Sequence, residues 1–158
     1  MEINHSCTQK FMSSPNRYNG PSSSSCTIPE ILTVDDEPDI GLALTDLLHQ
    51  EGYGVTVVET GRAALDISEY HQFHAVILDL GLPDYDGLEV LTHMLRRDPG
   101  LPIIILTAYS PLERYTGKIE GSPAFAYISK PFDRNKLKNI VRQAIQHRLQ
   151  VEIEKVSV

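Results

Sequence analysis

At 158 residues the chain is long enough for one domain with a proper core and is not expected to hold two. The hydrophobic fraction of 41% is ordinary for a globular protein, and a formal net charge of −7 argues against nucleic acid as the main partner, because phosphate binding needs a basic face. No stretch approaches the roughly 20 apolar residues of a membrane span, and the N-terminus lacks the apolar core of a secretory signal, so a cytoplasmic protein with no membrane partner is expected.

Residues 1–29 are rich in Ser, Asn, Gly and Pro, with the run Ser22-Ser23-Ser24-Ser25, and read as a disordered arm. Cys7 and Cys26, the only cysteines, lie in it without metal-ligand spacing and are expected to be free thiols. From Ile31 onward strands alternate with helices. The first strand, Ile31-Leu32-Thr33-Val34, leads to a helix from about Glu37 to Glu51, with Pro38 in its first turn, a stripe of Ile40, Ala43, Leu44, Leu47 and Leu48, and Gly52 to end it. Val55 to Val58 forms a second strand, followed by a helix from about Gly61 to Tyr70. Ala75 to Leu78 forms a third, followed by a turn-rich loop from Gly81 to Gly87 and a helix to about Arg97.

The fourth strand is Ile103-Ile104-Ile105-Leu106. Pro111, Gly117, Gly121 and Pro123 interrupt the next segment, so the fourth predicted helix, between Ser110 and Ala124, should be short or distorted. The fifth strand, Phe125 to Ile128, precedes a last helix from about Asp133 to Leu149, and residues 150–158 read as a tail with no output domain. Continuous apolar runs bounded by turn residues are characteristic of strands buried on both faces. Five βα units imply an α/β, doubly wound, five-stranded parallel sheet with helices on both faces.

The chemistry lies where these strands stop. Asp35 and Asp36 follow the first strand, Asp79 the third and Thr107 the fourth, while Lys130 follows the fifth. In open α/β sheets ligands bind outside the carboxyl ends of strands, as in the flavodoxin-like order 2-1-3-4-5. Crowded carboxylates repel one another, and a hard divalent cation relieves that repulsion, with Mg2+ the natural candidate. A carboxylate beside such a cation can attack phosphorus, and Asp79 is best placed to do so. Taken singly, Asp36 could be a helix cap, Asp79 a turn residue, Thr107 a strand-end hydroxyl and Lys130 a solvated lysine. Together those bland readings fail, since independent capping needs would not place matching charges at alternate strand ends. Asp84, Asp86 and Glu37 are further candidates, with Asp84 and Asp86 assigned to turn and helix-start roles. The six histidines show no metal or catalytic spacing.

From Ile31 to about Leu149 the sequence resembles the receiver domain of two-component response regulators. The matching segments are Val34-Asp35-Asp36-Glu37-Pro38, Val76 to Gly87, Leu106-Thr107-Ala108 and Ser129-Lys130-Pro131-Phe132. The resemblance implies that Asp79 accepts a phosphoryl group from a histidine kinase or histidine phosphotransfer protein. It implies Mg2+ held by Asp36, Asp79 and the backbone carbonyl of Gly81, with Asp35 acting through water, and phosphoryl oxygens held by Thr107 and Lys130. The Lys130-Pro131 bond is typically cis in such domains. Switching would draw Thr107 toward the phosphate and turn Tyr127 inward. A downstream protein would then bind the face made by the fourth predicted helix, the fifth strand and the fifth predicted helix.

Two departures from the family stand out. Gly121 to Tyr127 is longer and more apolar than the usual Gly-Ala-acid stretch, which bears on the signalling face. Gly81 and Tyr109, two positions after Asp79 and Thr107, offer no carboxylate or amide to orient a water, so a long-lived acyl phosphate is expected. The overall expectation is a stand-alone receiver in a phosphorelay, not an enzyme acting on external substrates. The alternative is a receiver fragment of a longer transcriptional regulator or hybrid histidine kinase. An aspartyl-phosphate hydrolase would resemble Asp-x-Asp, and here Gly81 stands where the second Asp belongs.

Overall fold

The computed structural model describes residues 27–108 and 123–157. The N-terminal arm up to residue 26, both cysteines, Tyr109 and most of the fourth predicted helix lie outside the described residues. The strands are β1 (Glu30–Val34), β2 (Gly54–Val58), β3 (Ala75–Leu78), β4 (Ile103–Thr107) and β5 (Ala126–Ser129). The helices are α1 (Pro38–Gln50), α2 (Gly61–Tyr70), α3 (Gly87–Arg97) and α4 (Arg134–Val156).

All strand pairs are parallel and the order is β2-β1-β3-β4-β5, as expected. The apolar runs are buried because each strand feeds two cores. Ile31, Ala75, Ile77, Ile104 and Leu106 face the core shared with Leu44, Leu47 and Leu48 of α1 and Leu137, Val141 and Ile145 of α4. Leu32, Val34, Val76, Leu78, Ile103 and Ile105 face the other, shared with Ala64 of α2 and Val90, Leu91 and Met94 of α3. This period-2 partition of continuous hydrophobic runs is what two covered sheet faces demand. After β2 the chain crosses back over β1 to build β3, so the direction of winding reverses between β1 and β3 and opens a crevice at their carboxyl ends.

Gly52, at φ 90°, ends α1, a left-handed position favourable to glycine. Gly87 has a different reason. A Cβ there would stand 2.6 Å from Leu80 Cα and 2.8 Å from the Asp79 carbonyl oxygen, so only glycine lets α3 start against the loop that leaves β3.

The last helix runs past Leu149 to Val156, which corrects the expected tail at its start. No Gly or Pro interrupts the sequence there. Spacing of i,i+4 brings Arg148 Nε to 2.8 Å from Glu152, and Gln150 Nε2 donates to Glu154 Oε1 at 3.3 Å.

Candidate metal and phosphoryl site

The sheet ladder continues into the site residues and fixes them. The Asp35 N–H donates to the Val58 carbonyl (3.0 Å), the Asp79 N–H to Val34 (2.9 Å) and the Lys130 N–H to Thr107 (2.9 Å). Alternation then sorts the side chains. Asp35 continues the Ile31–Thr33 face and is 2% exposed, whereas the next residue, Asp36, is exposed. Asp79 is 5% exposed.

Lys130 joins this group from β5. Its side chain is 7% exposed, and Nζ lies 2.7 Å from Asp35 Oδ2, 2.8 Å from Glu37 Oε1 and 3.1 Å from Asp79 Oδ2. The second Asp79 oxygen, Oδ1, accepts from the Gly81 N–H (3.1 Å), and Asp35 Oδ1 accepts from the Glu37 N–H (3.0 Å). The Lys130-Pro131 peptide is cis.

Burial raises the pKa of Asp35 above the ordinary carboxylate value, although the Lys130 ammonium and the Glu37 N–H partly offset this. Burial opposes the Lys130 ammonium too. Its contacts with the Asp35, Glu37 and Asp79 carboxylates prevail, so its pKa is raised and it stays charged at neutral pH.

Asp35, Asp36 and Asp79 each offer an oxygen within 4.8 Å of the others. Several hard oxygen donors and one cationic side chain form a set that leaves negative charge in excess, which fits Mg2+ better than a soft metal. The Asp36 carboxylate makes no hydrogen bond or ion pair among the described residues, so it is available as a ligand.

Thr107 is buried at the end of β4. Tyr127, opposite Ile105 in β5, lies on the same side of the sheet as Thr107. Its ring packs into the core shared with α2 and α3, and its buried hydroxyl has no hydrogen-bond partner among the described residues.

Residues 31–142 match the response regulator receiver domain family. This chain belongs to that family. The receiver is 33% identical over 114 residues to sporulation initiation phosphotransferase F of Bacillus subtilis, covering 72% of this chain and 91% of that protein. It is 32% identical over 119 residues to the regulatory protein AtoC of Escherichia coli, covering 75% of this chain but only 26% of AtoC. Among solved structures it resembles the response regulator TrrA of Thermotoga maritima in complex with Mg(2+)-BeF, at 34% identity and TM-score 0.67, covering 74% of this chain and 99% of that one. It also resembles the receiver domain of a sensor histidine kinase from Pseudomonas aeruginosa with magnesium in its active site cleft. There the identity is 30% and the TM-score 0.69, with 76% of this chain and 99% of that one covered.

The receiver fold brings Asp35, Asp36, Asp79 and Lys130 together directly, with Thr107 tied to Lys130 through the backbone. Two roles differ from the sequence reading. Glu37, left without a role, contacts Lys130; the only sequence signal was its position beside the acidic pair. Asp84 does more than make a turn, because its carboxylate accepts from the Gly61 and Arg62 N–H groups (both 2.9 Å) and so caps α2 from a distant loop. Asp86 starts α3 as expected, accepting from the Leu88 N–H (2.9 Å).

Proposed function

We propose that Asp79 is the phosphoacceptor of this receiver and that phosphorylation switches its protein contacts. The observation that carries this is a buried Asp79 with Lys130 Nζ at 3.1 Å and two further carboxylates within 4.8 Å. Asp36, Asp79 and the Gly81 carbonyl would hold Mg2+, with Asp35 acting through water; the bound ion would supply charge neutralisation for an approaching phosphoryl group. An Asp79 oxygen forms the new O–P bond while the bond from phosphorus to the donor breaks. With a phosphohistidine donor the electron pair goes to the imidazole nitrogen. With an acyl phosphate it leaves on the carboxylate. Lys130 and Thr107 hold phosphoryl oxygens, as positioning and charge stabilisation require.

Gly81 supplies no second carboxylate for turnover, so the domain acts as a signalling acceptor and not as a hydrolase of external esters. The absence of a carboxylate there also supports a long-lived phosphorylated state. The partners are a histidine kinase or histidine phosphotransfer protein and a downstream protein on the β5–α4 side, with Thr107 and Tyr127 as the switch pair. Among the described residues no helix is long and apolar enough to cross a membrane, and a cytoplasmic setting suits the chemistry. A second reading, a receiver within a longer regulator, is favoured by the 26% of AtoC that the chain covers; the genomic reading frame decides it.

The test is intact mass after incubation with Mg2+ and acetyl phosphate, for the wild type and Asp79→Asn. One added phosphate that requires both Asp79 and Mg2+ is expected. An adduct that persists in Asp79→Asn would defeat the assignment.

A further inference from the structure

We propose that Glu37 is a releasable counter-ion for Lys130, a positioning residue that gives way when Lys130 takes up an oxygen of the phosphoryl group arriving at Asp79. The inference rests on the phosphoacceptor reading of Asp79. A lysine ammonium has three N–H donors and no more. Here three carboxylates already surround it, at 2.7 Å (Asp35), 2.8 Å (Glu37) and 3.1 Å (Asp79). Lys130 donates to Glu37 and Asp79 and is ion-paired with Asp35, so three carboxylates already crowd the ammonium and any phosphoryl oxygen it takes up competes with them.

The burial of the partners decides which one leaves. Asp35 has a 2% exposed side chain, and losing Lys130 would strand a carboxylate inside the protein. Asp79 is still an ionised carboxylate while the phosphoryl group arrives, and its side chain is 7% exposed, so giving up Lys130 at that stage would strand a charge there as well. The Glu37 side chain is 58% exposed, so water replaces Lys130 around it at little cost. Glu37 also makes no side-chain cap on α1, which leaves the Lys130 contact as its one side-chain role among the described residues. An exposed ion pair of no consequence is the competing account, and it predicts no kinetic effect of breaking the pair.

Two substitutions separate release from general charge repulsion. Glu37→Ala removes contact and charge together, while Glu37→Asp keeps the charge and shortens the reach. At saturating Mg2+, both variants should gain phosphate from acetyl phosphate about two- to fivefold faster than the wild type, the range an exposed ion pair can supply. In the metal-free protein without donor, the 15N-observed ammonium of Lys130 should exchange with water faster in both variants.

Acceleration in Glu37→Ala with Glu37→Asp at the wild-type rate would assign the effect to repulsion of the anionic donor and overturn the proposal. Unchanged ammonium exchange in both variants would also overturn it, since the contact would then be absent in solution. Adduct on the wild type with no acceleration in either variant defeats the release step alone. No adduct on any of the three proteins defeats the phosphoacceptor reading and this inference with it.

Discussion

Each end of the sheet buries a cation against acids, and the two arrangements have opposite purposes. At the amino end Arg148 of α4, 5% exposed, grips Asp98 after α3 through two parallel bonds, Nη1 to Oδ1 at 2.9 Å and Nη2 to Oδ2 at 2.7 Å. Arg148 Nε lies 2.8 Å from Glu152 without hydrogen-bond alignment, so that contact is an ion pair only. At the carboxyl end Lys130 meets three carboxylates, and Asp36 stands next to them. A planar guanidinium fork on a carboxylate is geometrically closed and locks two elements together, whereas a point-charge ammonium among surplus acids can exchange partners and leaves room for another cation. The first has the geometry of a scaffold contact and the second that of a candidate site.

Removing the closed pair should have the largest effect. Arg148→Ala strands a partly buried Asp98 and should lower stability by about 3 kcal/mol in chemical denaturation, with phosphate uptake on Asp79 retained. A loss below about 1 kcal/mol would mean that the Arg148–Asp98 fork does not act as scaffold. The open site should instead respond to metal. At about 100 times its dissociation constant, Mg2+ should add roughly 2.7 kcal/mol to the wild type by linkage, and the same to Arg148→Ala, while Asp36→Asn gains little. Equal Mg2+ stabilisation of Asp36→Asn would remove Asp36 from the ligand set.

Acid should separate the two ends by sign. Burial alone would raise the pKa of Asp98, but Arg148 prevails and lowers it, so its stabilisation is full above the ordinary carboxylate range and is lost as pH falls through the depressed value. The pKa of Asp35 is raised by burial, so the cost of holding it ionised is present at neutral pH and relieved as pH falls through the raised value toward the ordinary one. In metal-free buffer, Asp98→Asn should therefore flatten the loss of stability below about pH 4. Asp35→Asn should remove a compensating gain above that pH, and the two acid titrations should diverge from the wild type in opposite directions. The smallest effect concerns Thr33, two residues before Asp35 on the same face. Its buried hydroxyl has no partner among the described residues, so Thr33→Val should raise stability by about 1 kcal/mol. Destabilisation would show that the hydroxyl is satisfied in solution.

The strands and most helix ends were legible because their signals are local. Ala75–Leu78 and Gly61–Tyr70 are bounded as their apolar pattern and turn residues require. The last helix was underestimated although Leu149, Ile153 and Val156 recur there at helical spacing; those residues remain exposed, and side-chain pairing with the absence of breakers sustains the final turns. At the site, Asp35, Asp36, Asp79 and Lys130 could be found because strand ends converge whenever the strands are parallel. Glu37 and Asp84 could not be assigned, since both act on groups far away in sequence.

The sequence by itself determined the alternation of strands and helices, the two-sided burial and the set of charged residues at the carboxyl ends, because periodicity and strand termini are properties of short segments. Only the tertiary structure decided that Asp35 is buried while Asp36 is exposed, that Lys130 lies among three acids, and that Asp84 caps a helix two elements earlier. Those outcomes depend on which groups are excluded from water together, and desolvation is a property of the packed whole that no local window of sequence contains.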